Sequence, residues 1–263
     1  MKKPCDDKFF IQSINRALTI VDAISKAQGK GLTLTEISEH VDLHISTVYR
    51  ILQNLIAWNY VKEDEDGGYI LGFELITLGN AAKNNIGLQN LAHPYLVELG
   101  NLSGETIYLA IFDEINVSVM YIDKIDNKGN IRLAAGIGSR NRIHSTANGK
   151  VLVSGFTDEK IGSMLEIAGM NANTSFTITD PERFLNEIHK VRERGYAVDD
   201  LENEPGVRCV AAPIYDYRKK IIGSVSISGV ASAVTAEAIE EKLKPLLLKT
   251  TESISKELGF RRS

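Results

Sequence analysis

Three sets of side chains have the types and spacing for chemistry. The first is His44, Ser46, Thr47 and Arg50, with Asn54 one turn further on. Short hydroxyls beside a guanidinium can donate to phosphates, and the guanidinium can also pair two bonds with a guanine edge. The second is the run His144 to Lys150, in which Ser145 or Thr146 opens a helix. The free N–H groups of a helix start favour a carboxylate, and Gly149 lets that helix approach a strand closely. The third is Cys209, Ser226 and Ser228. Ser226 and Ser228 are two residues apart and alternate with Val225 and Ile227, so they share one face of a strand and suit the lining of a small polar cavity.

The first set needs a platform, and residues 9–72 supply one. Phe10 to Ala27 carries Ile14, Leu18, Val21 and Ile24 at helical spacing. Thr33 or Thr35 can cap a short helix that turns Ile37 and Val41 inward, and Thr33 with Glu36 has the capping-box spacing. After a brief turn, Asp42-Leu43-His44, a longer helix runs to about Asn59 with Ile45, Val48, Leu52 and Leu55 on its inner face. Val61 and Tyr69-Ile70-Leu71 flank an Asp-Gly turn, a hairpin signal. Helix, helix, turn, helix, hairpin is the order of a winged helix-turn-helix, whose second helix enters the major groove. On this reading Thr35, His44, Ser46, Thr47, Arg50 and Asn54 face DNA, Tyr49 packs against its backbone, and Lys62 is the only cation of an otherwise acidic wing.

The second and third sets need a different frame. Amphipathic helices over 73–85 and 88–102 lead to strands at 106–112 and 117–125, with a third strand candidate at Ile131 to Ala135. Helices fill 147–195, strands return at 207–215 and 221–228, and a last helix spans about Thr235 to Leu258. The fold class expected is therefore α+β: a winged helix-turn-helix over 9–72, a linker helix over 73–90, and an effector-binding domain with an antiparallel sheet over 91–260, similar to a GAF or PAS fold. Residues 1–8 read as a disordered tail.

Composition excludes several alternatives. The 43% apolar and 24% charged residues are those of an ordinary globular chain, and no apolar run approaches the roughly 20 residues that span a bilayer. Met1 to Lys8 is polar and lacks a secretory signal, so the cytoplasm is expected. Cys5 and Cys209 make no disulfide framework. His40 and His44 have a metal-like spacing but no matching third ligand, so neither metal nor cofactor is expected. Charge argues against nucleic acid: residues 1–72 hold eight Lys and Arg against ten Asp and Glu, a balance of −2.

The motifs outweigh that balance. Arg16-Ala17-Leu18, Leu34-Thr35-Glu36-Ile37, Ser46-Thr47-Val48-Tyr49-Arg50-Ile51-Leu52 and Tyr69-Ile70-Leu71-Gly72 resemble the first domain of the IclR family of bacterial regulators. His144 to Lys150, Arg194 to Asp200, Gly206 to Pro213 and Ser226 to Gly229 resemble its second domain. The resemblance implies a homodimer or dimer of dimers on a double-stranded operator, a repressor of a catabolic operon, and a small carboxylate effector such as a keto acid or sugar acid. It also implies that Ala147, Asn148, Gly149, Asp199, Cys209, Ser226 and Ser228 surround that effector. Glu105 to Leu109 and Tyr121 to Asp126 are similar to the branch of the family that answers to 2-keto-3-deoxygluconate. Two other readings compete. The first domain can be a degenerate winged helix that binds protein, or Cys209, His144 and Asp199 can form a nucleophile, base and orienting acid.

Overall fold

The structure is a computed structural model that describes residues 11–27, 30–85, 87–126 and 133–261. The expected tail over 1–8 lies outside these. The chain divides into two compact units, Met1–Asn85 and Ile86–Ser263.

The first unit packs α1 (Gln12–Lys26), α2 (Leu34–Val41) and α3 (Ile45–Ala57) against a hairpin of β1 (Val61–Glu63) and β2 (Tyr69–Leu71). Its core is Ile20, Ile24, Ile37, Val48, Leu52, Leu55, Val61 and Tyr69. Thr33 caps α2, accepting from the Glu36 amide while Glu36 accepts from Thr33 N at 2.8 Å. Asp42 ends α2 in the left-handed conformation, at φ 50°, which a short Asp side chain tolerates. The Asp64 carboxylate fixes the wing turn by accepting from the amides of Asp66 and Gly68, and Gly67 supplies the positive φ. The helix α4 (Glu74–Asn85) follows the wing.

Two expected faces are corrected. Ile14 and Leu18 are 55% and 63% exposed. α1 is apolar on more than one side, so the stripe Ala17, Ile20, Val21, Ile24 fits the helical period as well as the stripe Ile14, Leu18, Val21, and packing selects the former. Ile45, expected inward, is exposed because it opens α3 one turn before that helix meets the core.

The second unit is a six-stranded antiparallel sheet between two helical layers. Its strands are β3 (Thr106–Asp113), β4 (Ser118–Ile125), β5 (Arg140–Asn141), β6 (Ala197–Asp200), β7 (Val207–Tyr215) and β8 (Ile221–Val230), in the order β5-β4-β3-β8-β7-β6. One face presents Ile107, Leu109, Val210, Ala212, Val225 and Ile227 to α5 (Gly87–Ser103) and to the C-terminal helix. The other presents Tyr108, Ala110, Val119 and Tyr121 to α6 (Ala147–Ser154), α7 (Asp158–Ala168) and α8 (Pro181–Arg194). The C-terminal helix is interrupted: α9 (Ala236–Ala238) passes through a π turn at Ile239–Leu243 into α10 (Lys244–Glu257). Pro245 in the first turn of α10 has no N–H for the preceding turn, which accounts for the break.

The strand expected at Ile131 to Ala135 is also corrected over its described part. Leu133 and Ala135 pack on the second core, and their carbonyls accept from Lys124 Nζ at 2.9 Å and Tyr108 Oη at 3.1 Å, not from a ladder. β5 pairs with β4 instead.

Seven of the eight residues of α6 are buried, among them Lys150 at 1% exposure. Its ammonium donates to Val198 O at 2.8 Å and to Glu202 Oε1 at 2.5 Å. Gly149 is forced by its own preceding turn and not by a strand: a Cβ there would lie 2.4 Å from Ile143 O. A buried pair is costly to break and cheap to replace as a whole. Lys150→Met is therefore expected to destabilise the chain by about 3–5 kcal/mol. Lys150→Met with Glu202→Leu should recover most of that loss in urea titrations monitored by fluorescence.

Candidate DNA-reading helix and effector cavity

The fold turns α3 outward. Thr35, His44, Ser46, Tyr49, Arg50 and Asn54 are exposed and Thr47 is half-buried, while Val48, Leu52 and Leu55 hold the opposite side in the core. His44 is the N-cap, its Nδ1 accepting from Ser46 N at 3.3 Å and lying 2.8 Å from Ser46 Oγ. The hydroxyls of Ser46 and Thr47 stand at that helix start, whose partial positive charge suits phosphate. Asn54 Nδ2 donates back to Arg50 O at 2.8 Å, so its amide is tied to the helix. Lys62 sits with its ammonium 4.8 Å from the Phe73 ring centroid. The one cation of the wing thus lies over an aromatic face, and Arg50 is the one cation of α3.

In the second unit, register gathers the predicted polar residues. Cys209 lies opposite Asp199 on one side and Ser228 on the other; Ser226 lies between Ala211 and Tyr108. Opposite residues in a sheet point to the same face, and the face in question lies under α6. Asn148 descends from the first turn of α6 and is held at both ends of its amide, donating to Ser226 Oγ at 2.8 Å and accepting from Ser224 Oγ at 2.7 Å. Ser226 and Ser228 hydroxyls are 3.3 Å apart. Tyr108 and Tyr121 stack with centroids 4.4 Å apart to form an aromatic wall. Thr146 caps α6 through Gly149 N at 3.1 Å. These groups enclose a cavity of about 30 Å³, lined also by Ala147, Asn141, Asn203, Glu204, Asp199 and Cys209. Gly149 is buried beside it without lining it.

Burial dominates the ionisation of the cavity. It pushes Asp199 up to about 7, although the amides of Glu202 and Asn203 donate to its carboxylate at 2.8 and 3.2 Å. Burial also raises the Cys209 thiol, and the neighbouring Asp199 raises it further. The Tyr121 phenol is raised by burial first and by Cys209 second.

Comparison with known proteins settles the family. Residues 13–65 match the IclR helix-turn-helix domain, and residues 80–256 match the C-terminal domain of bacterial IclR transcriptional regulators. The chain belongs to the IclR family. It is 35% identical over 251 residues to the HTH-type transcriptional regulator KdgR of Escherichia coli, covering 95% of this chain and 94% of that protein. It is 30% identical over 250 residues to the acetate operon repressor of Salmonella typhimurium, covering 95% and 90%. The crystal structure of the Thermotoga maritima IclR superposes with a TM-score of 0.77 at 32% identity, covering 95% of this chain and all of that one.

As an IclR-family member the protein is a DNA-binding transcriptional regulator and not an enzyme. His144 hydrogen-bonds Asn171 O at 3.2 Å, while Cys209 has Asp199 and Ser228 for partners. A thiol raised by burial is a poor nucleophile. His40 is bonded to Glu36 O and His44 to Ser46, and no group of three metal-ligating side chains occurs among the described residues. No helix of the described residues is long and apolar enough to cross a membrane.

Sequence reading missed Ser224, Tyr108, Tyr121 and Asn203. Ser224 had a signal, since it continues the Ser226/Ser228 alternation by one step. The tyrosines sit on strands that register alone brings beside β8, and Asn203 reaches the cavity through the turn after β6. The raised pKa of Asp199 carries a pH signature. The folded state keeps a proton that the unfolded chain releases near 3.8. Stability is expected to fall, by a few kcal/mol at most, as pH rises from about 4 through 7, and to level off above. Melting temperatures in that window, compared with Asp199→Asn, should show the slope only in the parent chain.

Proposed function

We propose that this protein is a repressor of a catabolic operon that binds its operator as a homodimer or dimer of dimers and releases it when a small carboxylate enters the Asn148–Ser226–Ser228 cavity. The observation that carries this reading is the mismatch between lining and size. Polar donors, an aromatic wall and a proton-holding Asp199 converge on a space of only about 30 Å³, far below the roughly 300–1,000 Å³ of an occupied ligand site. A ligand that fits only after the walls separate binds one conformation in preference to another, which is the requirement for coupling to a distant site.

A protonated Asp199 can donate to an anion, whereas an ionised one repels it. Carboxylate binding is thus favoured below about pH 7. The residues shared with the 2-keto-3-deoxygluconate branch support that sugar acid as the effector. The exposed apolar residues Ile11, Ile14 and Leu18 on α1, spaced by three and four, support pairing of two chains through the first unit. Effector binding then alters the segment 73–90 and so the spacing of two α3 helices on a near-palindromic operator.

Gel shifts on the DNA upstream of the gene test this. 2-Keto-3-deoxygluconate should weaken the complex of the parent chain, with a coupling of about 1–3 kcal/mol. Ser226→Ala with Ser228→Ala should blunt the response without loss of DNA binding. Arg50→Ala should cost about 1–3 kcal/mol of specific binding. Unchanged binding by the Arg50 variant removes α3 as the reading helix, and indifference to every keto and sugar acid removes the effector class.

A further inference from the structure

We propose that the second unit holds a second anion site, a cleft of about 490 Å³ where the C-terminal end of α6, α7, α8 and the β7–β8 turn meet, and that it takes a small organic anion bearing two or more charged groups. The argument begins with charge. Thirteen residues line the cleft; four are the cations Lys160, Arg192, Lys219 and Lys220, and none is acidic. In a chain with 34 acidic against 30 basic residues, such one-sided lining concentrates positive potential in a concavity.

The cations divide by commitment. Arg192 is spent on the framework, donating to Ser154 O at 2.9 Å, to Phe156 O at 2.7 Å and to Asp158 Oδ1 at 2.6 Å, and so it shapes the wall. Lys160 and Lys220 have no carboxylate partner among the described residues. Lys160 projects from α7 with its ammonium 4.4 Å from the Phe156 ring centroid, and Lys220 stands at the end of the turn whose Asp216 carboxylate is taken up by the Arg218 guanidinium and the amides of Arg218 and Lys220. Two ammonium groups on separate elements favour a ligand with charges at two points over a monoanion, and the apolar side chains of Phe156 and Ile221 accept the body between them. The volume lies within the range of small-molecule sites. Phosphorylated and polycarboxylic metabolites share this chemistry.

Calorimetric titration of the full chain with pyrophosphate and with citrate at low ionic strength, with acetate as the singly charged control, tests the proposal. Saturable binding of either polyanion is expected, weakened at least tenfold by Lys160→Gln with Lys220→Gln and unchanged by Ser226→Ala with Ser228→Ala. Both lysines are exposed, so the variant should keep the parent melting temperature. Binding of pyrophosphate alone assigns a phosphate ligand, and of citrate alone a carboxylate. No saturable binding of either, or equal affinity in the lysine variant, overturns the site. Loss of binding in the serine variant alone does so too, because it moves the anion to the first cavity.

Discussion

A lysine ammonium withdrawn from water holds the second unit's cavity in shape. Lys150 lies in the middle of α6 and reaches across to Glu202 and to the carbonyl of Val198. Glu202 in turn gives its amide to Asp199, and its carbonyl accepts from Thr177 Oγ1 at 2.6 Å. One buried charge thus fixes the helix that supplies Asn148, the strand that supplies Asp199 and the turn that supplies Asn203. Glu202 Oε2 has no hydrogen-bond partner, and burial raises the carboxyl despite the ammonium. Such an arrangement is expensive, and hydrophobic residues of similar volume would serve stability as well or better. Its value is in position: the hydrogen bonds of the ammonium require acceptors in set directions, and apolar contact does not.

The same α6 explains why the two faces of the sheet differ. Under α5 and α10 the sheet shows mainly aliphatic side chains, with Asp123 of β4 paired to His93 of α5 as a polar exception. Under the first turn of α6 it shows hydroxyls and a carboxyl: Ser224 and Ser226 pair across the gap with the Asn148 amide, Ser228 with Ser226, and Asp199 with the amides of the turn after β6. Buried polar groups generally need partners, and here Asn148 alone satisfies two serines, Ser224 and Ser226. Separation of α6 from β8 would free several donors at once, which is what an entering carboxylate would require.

How much of this was legible in the sequence depends on the range of the interaction. The caps of α2 and α3, the wing turn and the Ser226–Ser228 alternation are local, and residue types a few positions apart reveal them. The family blocks fixed the fold class because long stretches match at once. What stayed hidden was set by packing between segments far apart. Ile14 and Leu18 lost their place in the core to Ala17 and Ile20 because two stripes of α1 fit the same period. Leu133 and Ala135 gave up a strand because distant side chains took their carbonyls. The contact of Lys62 with the Phe73 ring joins the wing to the residue just before α4 and has no signature in sequence. Tyr108 and Tyr121 became a wall only through pairing of β3 with β4 and β8.

Charge follows a similar logic of place over sum. Residues 1–72 carry more acid than base, yet their acids cluster in the wing turn, where Asp64 is engaged by backbone amides, while Arg50 stands on the exposed side of α3 among hydroxyls. The second unit repeats this at its own scale. α6 begins at a cavity in which an aspartic acid keeps its proton near neutrality, and it ends, seven residues later, at a cleft lined by four cations and no acid. A rigid helix with almost all of its residues buried cannot shift at one end without shifting at the other. The polar end and the cationic end of α6 are therefore mechanically one element, and a displacement of either end moves both.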